Sequence, residues 1–262
     1  NLAVVVQISA KSSFQETVIS GMRSSKTYFL PEHVGFYSTN SSESLVFDLS
    51  QNISEILIEA IQERGRASLA VSGGSTPKPL FEELSLLNID WSKVDLTLVD
   101  DRWVDSDHKD SNELLIRTHF LKNKAAKVNF VPLKNDAKSA KEGASLSEDA
   151  LKGIAMPFDL IILGMGADGH TASLFPCSEE LPIGMNLNTK SHLVATTPKT
   201  APHERISLTA KAIFEAKRVI LHLNGSAKLH TLEEAMSIRD SSKMPIYAFL
   251  EHGLDILSLI HI

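Results

Sequence analysis

The sequence predicts an α/β fold of three layers, a doubly wound and mainly parallel sheet with helices on both faces. Three observations support it. Unbroken apolar runs of strand length recur along the chain, segments with helical spacing lie between many of them, and the runs ending at Val71 and Leu163 pass directly into glycine-rich turns. Strands covered on both faces read as continuous apolar runs, and their alternation with helical segments is the signature of a parallel sheet.

Taken in order, residues 1–30 are Ser-rich and weakly periodic, and are expected to form an N-terminal arm of uncertain order. Residues 31–262 are expected to form a single α/β domain. A strand is predicted near 33–38, followed by a helix in which Leu45, Val46, Leu49, Ile53, Ile56, Leu57, Ala60 and Ile61 share one face. Ser41 or Ser42 suits its N-cap, and Gly65 closes it. Further strands are predicted at 67–72, 94–99, 128–131, 158–163, 192–197, 218–223 and 246–250. The polar stretch Lys134–Ser147 reads as a solvated helix or a connection, and Leu254–Ile262 as a last helix or a trailing end.

With 262 residues and 43% apolar content, the chain can bury a substantial core. Cys177 is the single cysteine, which excludes an internal disulfide and points to a reducing, cytoplasmic setting. The apolar run Leu2–Val6 has no basic flank and is short for a signal peptide, and no run approaches the roughly 18 apolar residues of a membrane span. A formal charge of -6 argues against nucleic acid as a partner. It is compatible with a small anion held where a few Arg, Lys and backbone N–H groups gather. A monomer is expected, with a weak dimer as the alternative.

The segment Phe158–Pro176 carries the strongest local signal, because a buried strand runs into Gly164, Gly166 and Gly169 and ends on His170. Ligands of open α/β sheets bind at the carboxyl ends of strands, which places Asp168 and His170 where chemistry occurs. The turn also fits G-x-G-x-x-G, but a dinucleotide site needs a long following helix and an acidic residue about 20 positions on. Pro176 stops the expected helix after about one turn. The run His192–Thr197 ends without a carboxylate, so no nucleotide cofactor is expected.

A second turn, Ser72-Gly73-Gly74-Ser75-Thr76-Pro77, follows a strand and precedes a helix bearing Leu80, Phe81 and Leu84. Pro77 suits the first helical position, Ser75 or Thr76 the cap, and the helix N-terminus makes a phosphate cradle. The absent GK[ST] ending excludes a Walker motif. A third turn, Asp100-Asp101-Arg102-Trp103-Val104, offers Arg102 as a planar clamp for phosphate. Asp107, His108 and Asp110 are metal-ligating types without a partner cluster nearby in the sequence, so no metal site is expected.

These three turns, in this order, together with Asp110-Ser111-Asn112, Pro202-His-Glu-Arg205-Ile-Ser207 and Gly225-Ser-Ala-Lys228, resemble the 6-phosphogluconolactonase family, over about residues 33–255. The stretch GMGADGHTASLFP is the most specific match. Asp101 stands where the family usually has Glu. The resemblance implies a Rossmann-like fold of the sugar-phosphate isomerase/deaminase type, and hydrolysis of 6-phospho-D-glucono-1,5-lactone to 6-phosphogluconate without a cofactor. His170 is the candidate base, since an imidazole with a pKa of about 6.5 can take a proton from water at neutral pH. Asp168 either supports that imidazole or caps the turn. The backbone of Gly164–Gly169, including Gly166, is the candidate donor set for the developing oxyanion. The phosphate is expected on Ser72, Gly73, Gly74, Ser75 and Thr76, with Asp101, Arg102, Arg205 and Lys228 completing the substrate site. A glucosamine-6-phosphate deaminase or isomerase is the nearest alternative, and a non-catalytic sugar-phosphate sensor the next. Arg102 and the TASLFP continuation favour the lactonase.

Overall fold

The computed structural model describes residues 3–9, 23–24, 30–31, 34, 36–38, 41–252 and 254–255. Its first elements are β1 (Ala3–Ser9) and the two-residue strands β2 (Arg23–Ser24) and β3 (Tyr37–Ser38). Helix α1 (Ser42–Arg64) starts where the Ser41 hydroxyl accepts the Ser44 N–H at 3.0 Å. It ends at Gly65, whose φ of 80° lies in the left-handed region that glycine enters without a Cβ clash. The buried stripe of α1, Leu45, Leu49, Ile53, Ile56, Leu57 and Ala60, is the one its spacing predicts.

The chain then alternates through β4 (Ala67–Val71), α2 (Lys78–Leu86), β5 (Val94–Leu98), β6 (Asp100–Arg102), α3 (Asn112–His119), β7 (Asn129–Val131), α4 (Ala140–Leu151) and β8 (Leu160–Leu163). It continues with α5 (Leu181–Gly184), β9 (Leu193–Thr196), β10 (Arg205–Leu208), α6 (Ala210–Phe214), β11 (Arg218–Asn224), α7 (Ser226–Ile238), α8 (Ile246–Glu251) and β12 (Leu254–Asp255).

The large sheet has the order β2-β3-β1-β11-β8-β4-β5-β7, with β12 also on β1. Strands β11, β8, β4, β5 and β7 are parallel, and β1 joins β11 antiparallel. From β4 the chain winds outward to β5 and β7, then returns to the other side of β4 as β8 and winds outward again to β11. Right-handed crossovers in opposite directions place their helices on opposite faces. The winding reverses between β4 and β8, where Val71 pairs with Ile162, and such a reversal leaves a crevice beyond the strand ends. Every side chain of β4, β5 and β8 is buried, which explains their mainly apolar sequence; the polar exceptions Ser68, Asp95 and Thr97 are hydrogen-bonded.

A second sheet, β6-β10-β9, is antiparallel throughout and sets Arg205 opposite Arg102. The run 192–197 was expected in the large sheet but pairs here, because a short apolar run does not name its partner. The run 246–250, expected as a strand, is helix α8 entered from Pro245. Five apolar residues fit either period, and Pro245 supplies a helix start. No helix follows Gly169: Thr171 and Leu174 form an isolated bridge within turns. Within the expected arm, Ala3–Ser9 pairs in register with β11, and most of the remainder lies outside the described residues. The expected strand near 33–38 is described only in part, with β3 inside it, and 256–262 lies outside. Among the described residues no helix is long and apolar enough to cross a membrane.

Candidate active site

A cleft of about 250 Å³ opens at the reversal point, between the turns that follow β4 and β8. The two turns are stitched together by Ser72, whose N–H donates to the Ile162 carbonyl (2.9 Å) and whose hydroxyl accepts the Gly164 N–H (3.2 Å). Gly73 must be glycine for a steric reason, because a Cβ there would lie 1.9 Å from Asn112 Oδ1. Gly74 has a φ of 99°. Ser72, Gly73, Gly74, Ser75 and Thr76 all line the cleft, as expected from the sequence. The expected Ser75 or Thr76 cap is absent: Pro77 occupies the N-cap of α2 and no side chain caps it. Little of the α2 N-terminus is open to a ligand: Lys78 N–H donates to the Ser75 carbonyl (3.4 Å), Phe81 N–H to the Pro77 carbonyl (2.9 Å), and Pro77 and Pro79 carry no N–H.

Strand alternation sorts the second motif. Asp100 and Arg102 line the cleft, while Asp101 points away and is 1% exposed. Asp101 accepts the N–H groups of Asn112 (2.7 Å), Arg102 (2.8 Å) and Glu113 (3.2 Å), anchoring the start of α3. Burial, opposed by these amides and aided by Asp100, pushes its carboxyl up to about 7. The expectation that Asp101 binds substrate is corrected on this geometry, and Asp100 and Asn112 are the cleft residues it displaced. Asp100 accepts the Ser173 hydroxyl through Oδ2 (2.5 Å) and the Asn112 side-chain amide through its carbonyl (2.8 Å).

Arg102 donates Nη1–H to the Asp110 carbonyl (2.8 Å), and Arg205 donates Nη2–H to the Pro202 carbonyl (3.2 Å). The Nε of each is buried without a hydrogen-bond partner. Burial pushes the Arg205 guanidinium below its usual value; Asp100 opposes this and Arg102 adds to it. Two guanidiniums side by side, one buried and one half-buried, are held at an electrostatic cost that a phosphate dianion would offset.

On the facing turn, the imidazole of His170 meets Asp168 Oδ1 at 2.5 Å through Nδ1, and the same oxygen accepts the His170 N–H at 3.1 Å. Both readings of Asp168, turn cap and imidazole partner, are thus present in one carboxylate. Burial raises the Asp168 carboxyl, but the hydrogen bond and charge of His170 bring it below its ordinary value. With Nδ1–H donated to this carboxylate, Nε2 carries the lone pair. His170 also stacks on Phe175 (3.9 Å between centroids, 23°), and the Arg205 guanidinium lies 5.3 Å from that ring. Gly166 makes room for the pair, since a Cβ there would sit 2.1 Å from His170 Cε1.

Of the Gly164–Gly169 backbone expected as the oxyanion donor set, the three glycine amides are already engaged. Gly164 N–H is taken by Ser72, Gly166 N–H by the His170 carbonyl (2.8 Å) and Gly169 N–H by the Gly166 carbonyl (3.2 Å). Lys228 also lines the cleft, with Nζ on the Met165 carbonyl (2.7 Å), and burial lowers its pKa against the pull of Asp168.

His222 also borders the cleft and was not anticipated, since it reads in sequence as one more residue of an apolar strand. It is 5% exposed, and burial drops its imidazole to about 4. A basic group with a lowered folded pKa contributes stability that is present above about pH 6.5 and lost as pH falls toward 4. Between pH 7 and pH 5 the wild type is expected to lose about 2 kcal/mol more than His222→Leu. Urea titrations of both proteins at the two pH values check this, and parallel losses would refute it.

A family model described as "Glucosamine-6-phosphate isomerases/6-phosphogluconolactonase" matches residues 40–257. The chain belongs to the glucosamine-6-phosphate isomerase/6-phosphogluconolactonase family. A 6-phosphogluconolactonase of Pseudomonas putida is 38% identical over 227 residues, covering 87% of this chain and 93% of the relative. The Pseudomonas aeruginosa 6-phosphogluconolactonase is likewise 38% identical, covering 87% and 95%. Among solved structures, a 6-phosphogluconolactonase from Shewanella baltica superposes with a TM-score of 0.80 at 44% identity, covering 84% of this chain and 94% of that one. Within this family frame, ten of the twelve site residues expected from the sequence line one cleft; Asp168 stands beside it on His170, and Asp101 lies behind it.

Proposed function

We propose that this member of the family hydrolyses 6-phospho-D-glucono-1,5-lactone to 6-phospho-D-gluconate, the lactonase step of the oxidative pentose phosphate pathway. The observation that carries the reading is the Asp168–His170 pair facing the buried Arg205 and the half-buried Arg102 across one cleft. The Gly73–Thr76 turn, with Arg102 and Arg205, suits the 6-phosphate. This leaves the lactone carbonyl toward His170. Nε2 takes a proton from water as its oxygen adds to C1; the tetrahedral intermediate then collapses, breaking the bond to the ring oxygen, which recovers the proton. Lys228 is the side-chain donor that suits the oxyanion, beside the Gly164–Gly169 backbone first expected there. Water adds and the ring oxygen leaves, so the reaction consumes no redox partner.

A proton NMR time course with freshly prepared lactone tests the reading. Ring opening faster than the spontaneous rate is expected, and an unchanged rate with retained binding of 6-phosphogluconate would identify a sensor instead. Ammonia release from glucosamine 6-phosphate would favour the deaminase. Binding of the phosphate has its own signature. Arg102→Ala and Arg205→Ala are expected to raise KM for the phosphorylated lactone roughly 10- to 100-fold, the worth of one charge-assisted bond. The unphosphorylated lactone should be affected far less, and equal losses on both substrates would assign these residues a structural role.

A further inference from the structure

On the loops whose carbonyls hold Arg102 and Arg205, His108, Asp110 and His203 each offer a ligand atom, all within 4.8 Å of one another. His203 Nε2 lies 3.0 Å from Asp110 Oδ2, His108 Nδ1 lies 3.9 Å from the same oxygen, and the two rings meet edge to face at 5.4 Å. The first two residues are neighbours in the sequence, where they lack a third ligand. The loop between β9 and β10 supplies it. There His203 holds a φ of 70°, a region that residues bearing a side chain seldom enter, with its imidazole turned onto Asp110.

We propose that His108, Asp110 and His203 form a binding site for a divalent transition-metal cation of the zinc or cobalt class. Two imidazoles and one carboxylate are the donor set such borderline cations prefer, whereas magnesium and calcium favour oxygen ligands throughout. Ligands bound at about 2.0–2.2 Å in a tetrahedral site stand roughly 3.3–3.6 Å apart. The separations of 3.0 and 3.9 Å bracket that value, so small side-chain rotations complete the geometry. All three side chains are partly exposed, which leaves an open coordination position for water. His108 Nδ1 accepts the Asp110 N–H at 3.1 Å, and that bond is given up when the nitrogen takes the metal.

The position gives the site a consequence for the cleft. The Asp110 carbonyl holds Arg102, and the Pro202 carbonyl, one residue before His203, holds Arg205. A cation on Asp110 and His203 therefore ties together the two loops that orient both arginines. The metal site itself stands on its own geometry and does not depend on the reaction proposed above.

Titration of the full chain with Co²⁺, followed by visible absorption and calorimetry, tests the assignment. One Co²⁺ per chain is expected, with affinity at least tenfold lower in both His203→Asn and Asp110→Asn. Asparagine tolerates the positive φ at position 203, so that variant keeps its backbone. His230→Ala, which removes a histidine paired with Glu233 on α7, should bind as the wild type does. Unchanged affinity in His203→Asn, or no saturable uptake by the wild type, would overturn the proposal.

Discussion

His170→Ala is expected to lower turnover by roughly 10² to 10⁴, the range for loss of a positioned general base. The fold should survive, because His170 sits in a turn at the cleft and contributes one stack on Phe175 and its bonds with Asp168. The measurement is kcat on fresh lactone after subtraction of spontaneous hydrolysis, with circular dichroism to verify folding. Turnover near wild type in a folded variant would remove His170 from the mechanism.

The second large effect removes no functional group. Gly166→Ala would place a Cβ 2.1 Å from His170 Cε1 and 2.2 Å from Nδ1, against the roughly 3.5–4.0 Å of an ordinary carbon contact. The ring must shift by more than an ångström, and it has little freedom, with Phe175 on one face and Asp168 on Nδ1. A displacement of that size is expected to lower kcat by about 10². Affinity for 6-phosphogluconate should change little, since Arg102 and Arg205 belong to the other sheet. Wild-type kcat in Gly166→Ala would show that the imidazole does not need this position.

Both predictions concern residues that were legible in the sequence, and the reason is local. The turns after β4 and β8 announce themselves through glycines that follow mainly apolar strands, so Gly73, Gly166 and His170 could be named before any fold was known. The same holds for α1, where one helical stripe and two caps lie within a single segment. Asp101 was misplaced because adjacency to Arg102 in sequence was given more weight than alternation along a strand, which sends neighbours to opposite sides. The pairing of β6 with β10 and that of Asp110 with His203 were not legible, since each joins distant segments, 93 residues apart for Asp110 and His203, and neither segment names its partner. Residues 246–250 defeated the period argument through shortness alone.

The reversal between β4 and β8 also divides the labour of the cleft. One winding, with the second sheet, presents the groups proposed to hold the anion: the Gly73–Thr76 turn, Arg102 and Arg205. The other presents those proposed to react: Asp168, His170 and Lys228. Because the halves meet along a seam, the reactive half can be rewritten while the handle for a phosphorylated sugar is inherited unchanged. A single family that spans isomerases and lactonases is the outcome such modularity favours.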